Sequence, residues 1–243
     1  MSIPAAVSAG VGAAIGAGLA VGGFAYASLW PASRIFGSAL IAPRKPDELA
    51  LTFDDGPNPA WTPRLLDLLA EHLVHVTLFT MGDHAHREPE LVRRAHAEGH
   101  TIGIHSWSHP NLARSSEKKI REELTRSREE IEQTIGAAVR FFRPPFGARR
   151  PAVFRIVREM GLTTVLWNAM TSDWEEPSVD KIVDRLTQRI DGLNRKGWAA
   201  NIVLHDGGHL SPAIYREPSV TAAGQLILHY RSTHKFVTLE AWA

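Results

Sequence analysis

The chain has 243 residues, with 27 lysines and arginines against 26 aspartates and glutamates. That length suits one sizeable domain with a full core, and the near-neutral balance without a basic tract argues against binding nucleic acid. Cysteine is absent, which removes disulfides, thiolate metal sites and cysteine nucleophiles and leaves any metal to His, Asp or Glu.

From Met1 to Ser33 there is no charged side chain, and Ile3–Trp30 is almost all Ala, Gly, Val, Ile and Leu with closing aromatics. As a helix it would span about 40 Å, enough to cross a bilayer. The expectation is an N-terminal apolar helix, residues 1–33, that tethers the chain to a membrane or exports it, with the domain outside the cytoplasm. A cleavable signal ending at Ala25-Tyr26-Ala27 and a Gly-rich leader are the alternatives. Arg34, Arg44 and Lys45 follow the apolar run, which argues for the opposite topology. Residues 34–46 read as a linker and 47–243 as one domain.

Apolar β-type runs then recur at Leu49–Phe53, His75–Phe79, Thr101–Ile104, Val139–Phe142, Thr163–Trp167, Asn201–Leu204 and Lys235–Leu239. Between them lie helical spacings. Leu65, Leu66, Leu69 and Leu73 form one stripe, and Leu91, Val92 and Ala95, closed by Gly99, form another. Ser116–Gly136 carries Ile120, Leu124, Ile131 and Ile135 on one face, and its many charges read as a solvated outer surface. Val179–Leu193 repeats the pattern with Ile182, Val183, Leu186, Ile190 and Leu193. Such alternation predicts an α/β fold, a distorted (β/α) barrel of about seven parallel strands, with an open doubly wound sheet as the alternative. No G-x-G-x-x-G follows a strand, which argues against a dinucleotide site.

In either architecture the loops at the carboxyl ends of the strands build the site. Five polar clusters sit there: TFDDGP at 52–57, HSWSHP at 105–110, RPPFG at 143–147, SDW at 172–174 and LHD at 204–206. Consecutive side chains on a strand point to opposite sides, so Asp54 and Asp55 are expected in different environments, suited to two tasks. His105 and His109 stand four residues apart, but twelve histidines in this chain give about 0.6 such pairs by chance, and His96/His100 and His205/His209 share the spacing. Position separates them: His96 lies in a helical segment and reads as surface or packing, whereas His105 and His109 follow a strand at the face that carries Asp55. One carboxylate and two imidazoles suit Zn²⁺ and leave room for water and substrate.

These five clusters, in this order, resemble the motifs of the polysaccharide deacetylase family, the NodB homology domain of carbohydrate esterase family 4, over about residues 47–240. The resemblance implies a metal-dependent hydrolase that removes N- or O-acetyl groups from polysaccharide. Asp55, His105 and His109 would hold the ion, Zn²⁺ or else Co²⁺, Mn²⁺ or Ni²⁺, which makes hydroxide available near neutral pH. Asp54 would be the general base and Arg143 the arginine that positions it. Phe146, where many members carry Tyr, would offer its main-chain N–H to the oxyanion. His205 would be the general acid with Asp173 as its acidic partner, and Trp174 and Leu204 would enclose the acetyl methyl. Asp206 and His209 have no matched role. An amidohydrolase acting on a non-sugar C–N bond is the rival within this chemistry, and an inactive membrane-anchored glycan-binding protein is the rival outside it.

Overall fold

The computed structural model describes residues 22–211 and 213–243. Most of the predicted apolar span, residues 1–21, therefore lies outside the described residues. Among the described residues no helix is long and apolar enough to cross a membrane. Residues 22–29 form a helical turn segment that leads into the domain.

Among the described residues, eight strands are interleaved with helices. In chain order they are β1 (Glu48–Gly56), α1 (Thr62–His72), β2 (Thr77–Thr80), α2 (Gly82–Arg87), α3 (Pro89–Ala97), β3 (Thr101–Ile104), α4 (Glu117–Ile135), β4 (Phe141–Phe142), α5 (Pro151–Glu159), β5 (Thr163–Thr164), β6 (Ala169–Met170), α6 (Val179–Asn194), β7 (Ala200–His205), α7 (Glu217–Tyr230) and β8 (Lys235–Phe236). The strands pair in parallel in the order β5-β4-β3-β2-β1-β7-β6, the curled sheet of a distorted barrel. β8 pairs with Glu48 and Leu49 at the start of β1, below the level at which β2 begins to pair.

The sheet separates two cores. Its outer face packs on the helices, with Leu49, Leu51 and Phe53 of β1 against Leu65, Leu66 and Leu69 of α1. Each such side chain, fully buried, contributes about 1.5–3 kcal/mol of transfer free energy. A smaller inner cluster of Ala50, Phe79, Phe141, Val165 and Leu239 fills the floor of the barrel. Local signals end the helices as the sequence predicts. Ser116 caps α4 by accepting the Lys119 amide at 3.2 Å, and Gly136 closes it at φ 68°.

Several details differ from the sequence reading, among them strand bounds: the runs His75–Phe79, Val139–Phe142 and Lys235–Leu239 are strands over Thr77–Thr80, Phe141–Phe142 and Lys235–Phe236. Leu73 is not on the buried stripe of α1; it sits past the last turn, in a left-handed cap, 89% exposed. The Thr163–Trp167 run is a strand only at its start. Beyond it Leu166 donates to the Leu40 carbonyl at 2.9 Å, and an unpredicted short strand, β6, begins at Ala169. Residues 40–43, expected as linker, lie along the domain: Leu40 donates to Thr164 O at 2.9 Å, and Pro43 O accepts from the Ala199 amide at 3.0 Å. Finally, α4 is not charged only toward solvent, because Glu123 is 2% exposed. Its partners lie in the site.

Candidate active site

Side chains alternate along β1 as a pleated strand requires, so Leu49, Leu51 and Phe53 face the helices while Ala50, Thr52 and Asp54 face inward. Unbroken alternation would send Asp55 outward. Instead the pairing with β2 slips between Asp54 and Gly56, and Asp55 adopts φ 68°. This bulge turns its carboxylate into the cavity that Asp54 also lines. The expectation of separate environments for the two carboxylates is corrected accordingly: a non-glycine residue held in the left-handed region, at a cost of about 1–3 kcal/mol, brings them together.

Neighbouring loops hold that bend. His84 Nδ1 lies 3.0 Å from the Asp55 carbonyl oxygen. Gly207 passes so close that any Cβ there would overlap the same oxygen. Asp206, 1% exposed, accepts from Thr62 Oγ1 beneath Gly56, and burial pushes its carboxyl up to about 6.

The two imidazoles come from the loop after β3. His105 Nδ1 lies 2.9 Å from the Arg143 carbonyl oxygen, to which a ring N–H donates, and this contact turns Nε2 toward the cavity. His109 follows through a tight loop in which Ser106 and His109 both have positive φ, 62° and 58°. Glu123 of α4 clamps this loop. Its Oε2 accepts the amides of Trp107 and Ser108 at 2.9 and 2.8 Å, and its Oε1 accepts from Ser108 Oγ at 2.7 Å. Burial raises the Glu123 pKa, but Lys119 and these donors outweigh it and the group stays below its usual value.

Asp55 Oδ1 lies 3.3 Å from His105 Nε2 and 3.2 Å from His109 Nε2. Ligand atoms of the three buried residues all fall within 4.8 Å of one another. Among the described residues Asp55 Oδ1 makes no hydrogen bond although it is buried, an expensive state for a carboxylate oxygen that a cation would relieve. Burial pushes the Asp55 carboxyl up, yet the surrounding imidazoles hold it well below the ordinary carboxylate range. Burial, reinforced by His105, pushes the His109 imidazole down to about 3. An ionised carboxylate and a neutral imidazole are the forms that bind a divalent ion. The residues present fit such an ion.

Asp54 faces a different neighbour. Its Oδ1 is 2.7 Å from Arg143 Nη1, which donates at the same distance to Thr52 Oγ1. Arg143 is fully buried, lies 4.1 Å over the Phe79 ring, and directs Nη2 to Asn201 Oδ1 at 3.3 Å. Asn201 completes this polar stack inside the barrel. The only sequence trace of it was an amide at the start of an otherwise apolar strand.

On the opposite wall His205 Nδ1 lies 2.9 Å from Asp173 Oδ1, while Asp173 Oδ2 accepts the His205 amide at 2.9 Å and Ser219 Oγ at 2.6 Å. Burial lowers the His205 pKa, but the Asp173 charge and hydrogen bond overcome it and raise the imidazole to about 9. The Trp174 ring stands edge-on to His205 at 5.0 Å.

A cavity of about 300 Å³ joins these groups, and Phe146, Trp167, Met170, Trp174 and Val203 supply its apolar wall. Leu204 does not belong to that wall. On β7 Val203 and His205 face the cavity, so alternation turns Leu204 outward, opposite Phe53, into the helix-side core at 0% exposure. Phe146 packs edge-on against His109 at 4.5 Å, and His209, at the rim, stacks on His109 at 4.4 Å with its Nδ1 3.8 Å from Asp55 Oδ2. The His96/His100 pair lies elsewhere: His96 is exposed, and buried His100 accepts the Val76 amide at 3.2 Å.

Residues 42–165 match the family described as polysaccharide deacetylase. A peptidoglycan-N-acetylglucosamine deacetylase of Bacillus cereus is 34% identical over 205 residues, covering 84% of this chain and 71% of that protein. A chitooligosaccharide deacetylase of Sinorhizobium fredii is 36% identical over 189 residues, covering 74% of this chain and 85% of its own. Among solved structures, the peptidoglycan deacetylase PdaC from Bacillus subtilis superposes with a TM-score of 0.69 at 32% identity, covering 82% of this chain and 91% of that one. With half the chain matched by the family and these relatives aligned along most of their length, this chain belongs to the polysaccharide deacetylase family.

Proposed function

We propose that the protein is a metal-dependent deacetylase that releases acetate from N-acetylated or O-acetylated polysaccharide. The observation that carries this reading is the convergence of Asp55, His105 and His109 on one point, beside a second carboxylate, Asp54, that is paired with Arg143. The named relatives act on peptidoglycan and chitooligosaccharides, and acetylated glycans of that chemistry are the proposed substrates.

Asp55 Oδ1 and the Nε2 atoms of His105 and His109 would hold a divalent ion, with Zn²⁺ the best match to an N,N,O set. Bound there, the ion supplies Lewis-acid charge that acidifies water and polarises an acyl oxygen. Asp54 takes the proton of the attacking water, and Arg143 orients that carboxylate. The main-chain N–H of Phe146 faces the developing oxyanion; a donor of this kind is worth about 10²–10³ in rate. His205, kept protonated by Asp173, gives its proton to the departing amine or alkoxide, and the acetyl methyl rests against Trp174, Met170 and Val203.

We also propose that the catalytic domain is membrane-tethered or exported through its N-terminal segment. Supporting this, the aromatic residues that close the apolar run, Phe24, Tyr26 and Trp30, are about half exposed, at 47%, 51% and 56%, as suits a membrane interface.

Acetate release from chitin oligomers, peptidoglycan and acetylated xylan tests the activity. Release from at least one, abolished in Asp54→Ala, is the expected result; no release from any would refute it.

A further inference from the structure

RPPFG is followed by Ala148, Arg149 and Arg150, and Arg149 has no part in the chemistry above. It is nonetheless fully buried, and it makes no ion pair among the described residues. Its Nη1 donates to Gly147 O at 2.9 Å and to Ser28 O at 3.1 Å. Its Nη2 donates to Trp30 O at 2.6 Å and to Ser33 O at 3.4 Å, and its amide donates to Ser28 O at 3.1 Å. One guanidinium thus ties the chain ahead of the domain to the loop that carries Phe146. That loop needs tying. Phe146 and Gly147 are successive left-handed residues, at φ 57° and 63°, a conformation that Phe adopts only where its surroundings impose it. A Cβ at Gly147 would come within 2.9 Å of Trp167, so the loop is already pressed onto the cavity wall. Ala27 and Ser28, at 2% and 3% exposure, pack as domain residues rather than as a leader.

We propose that Arg149 is a positioning residue, and that residues 28–33 are a structural part of the oxyanion side of the active site, locked to it through that guanidinium. This rests on the deacetylase reading, in which the Phe146 N–H faces the oxyanion. Burial of a cation is tolerated here because planar Arg reaches several carbonyls at once, as a lysine ammonium in the same place does not.

In the full chain, Arg149→Gln and Arg149→Lys are expected to lower kcat by about 10- to 100-fold, the effect of displacing a catalytic group by roughly 1 Å. KM should move less than about twofold and metal content should not change. A second readout needs no activity: chymotrypsin should cut at Phe146 faster in both variants than in the parent. Unchanged kcat with unchanged cleavage would overturn the proposal, as would a full rescue by Lys. If the variants fail to fold, a protease site inserted between the exposed residues Arg34 and Ile35 allows the folded chain to be cut. Activity of the cut enzyme should then fall on dilution and return with a peptide of residues 24–34; activity independent of both would overturn the proposal. Should the uncut parent release no acetate, the deacetylase reading fails on its own, while cleavage at Phe146 still decides the role of Arg149.

Discussion

Arg143 Nη1 lies 2.7 Å from Asp54 Oδ1, with the two side chains 0% and 5% exposed. Removing one partner of such a buried pair leaves the other charge uncompensated, which is far costlier than losing a surface contact. Arg143→Ala is therefore expected to cost about 3–5 kcal/mol of stability and to abolish turnover. Asp54→Asn, which keeps the shape and one acceptor, should fold, retain its metal and lose about 10²–10⁴ in kcat. Thermal unfolding and metal content, measured with kcat on the same preparations, check both.

The Glu123 carboxylate supports His109 from behind the loop. Glu123→Ala leaves the amides of Trp107 and Ser108 without their acceptor, at about 1–3 kcal/mol, and should weaken metal binding by about 10- to 100-fold, as losses behind a metal site do. Competition against a chromogenic chelator gives the number. Unaltered affinity would mean that the loop keeps its shape without the clamp.

Gly207 has no space for a side chain against the Asp55 carbonyl. Gly207→Ala should displace the Asp55 bulge, so metal affinity should fall even though no ligand has been replaced. The same substitution at Gly136, where a Cβ meets nothing within 4 Å among the described residues, should leave metal binding intact and cost only the strain of a left-handed cap, about 1 kcal/mol.

The raised imidazole of His205, at about 9, sets the direction of the alkaline limb. A general acid works only while protonated, so kcat should hold up to about pH 9 and fall above it. Asp173→Asn removes the charge that raises the group, and the limb should move down by about one to three units. Stability follows the same sign. A pKa raised on folding stabilises most below the unfolded value of 6.5, and that contribution is lost as pH rises through about 9. pH–rate profiles and melting curves on parent and variant test this.

What the sequence made legible, and what it did not, divides along physical lines. Local signals were readable: Ser116 and Gly136 bounded α4, and apolar runs marked the strands that carry Asp54 and His205 and the one that leads into His105. Conformations imposed by neighbours were not. Nothing in TFDDGP announces that Asp55 leaves the strand alternation, because the bulge is fixed by His84, Gly207 and β2. Leu204 is the reverse case, where strict alternation holds and sends into the helix-side core a residue that a motif resemblance alone placed at the acetyl pocket. Glu123 was hidden in a helix whose other charges are mostly solvated, since a single buried carboxylate leaves no trace in a 3.6-residue period. Residues 40–43 read as linker, and nothing singled out Arg149, because their partners are backbone groups, which every sequence has.

The most direct test of the account is the metal itself. Isothermal titration of Zn²⁺ into chelator-treated protein, followed by acetate release on the same samples, should give one ion per chain, activity restored in proportion to it, and neither in Asp55→Ala or His105→Ala. Full activity after chelation, or unchanged binding in the Asp55→Ala variant, would contradict it.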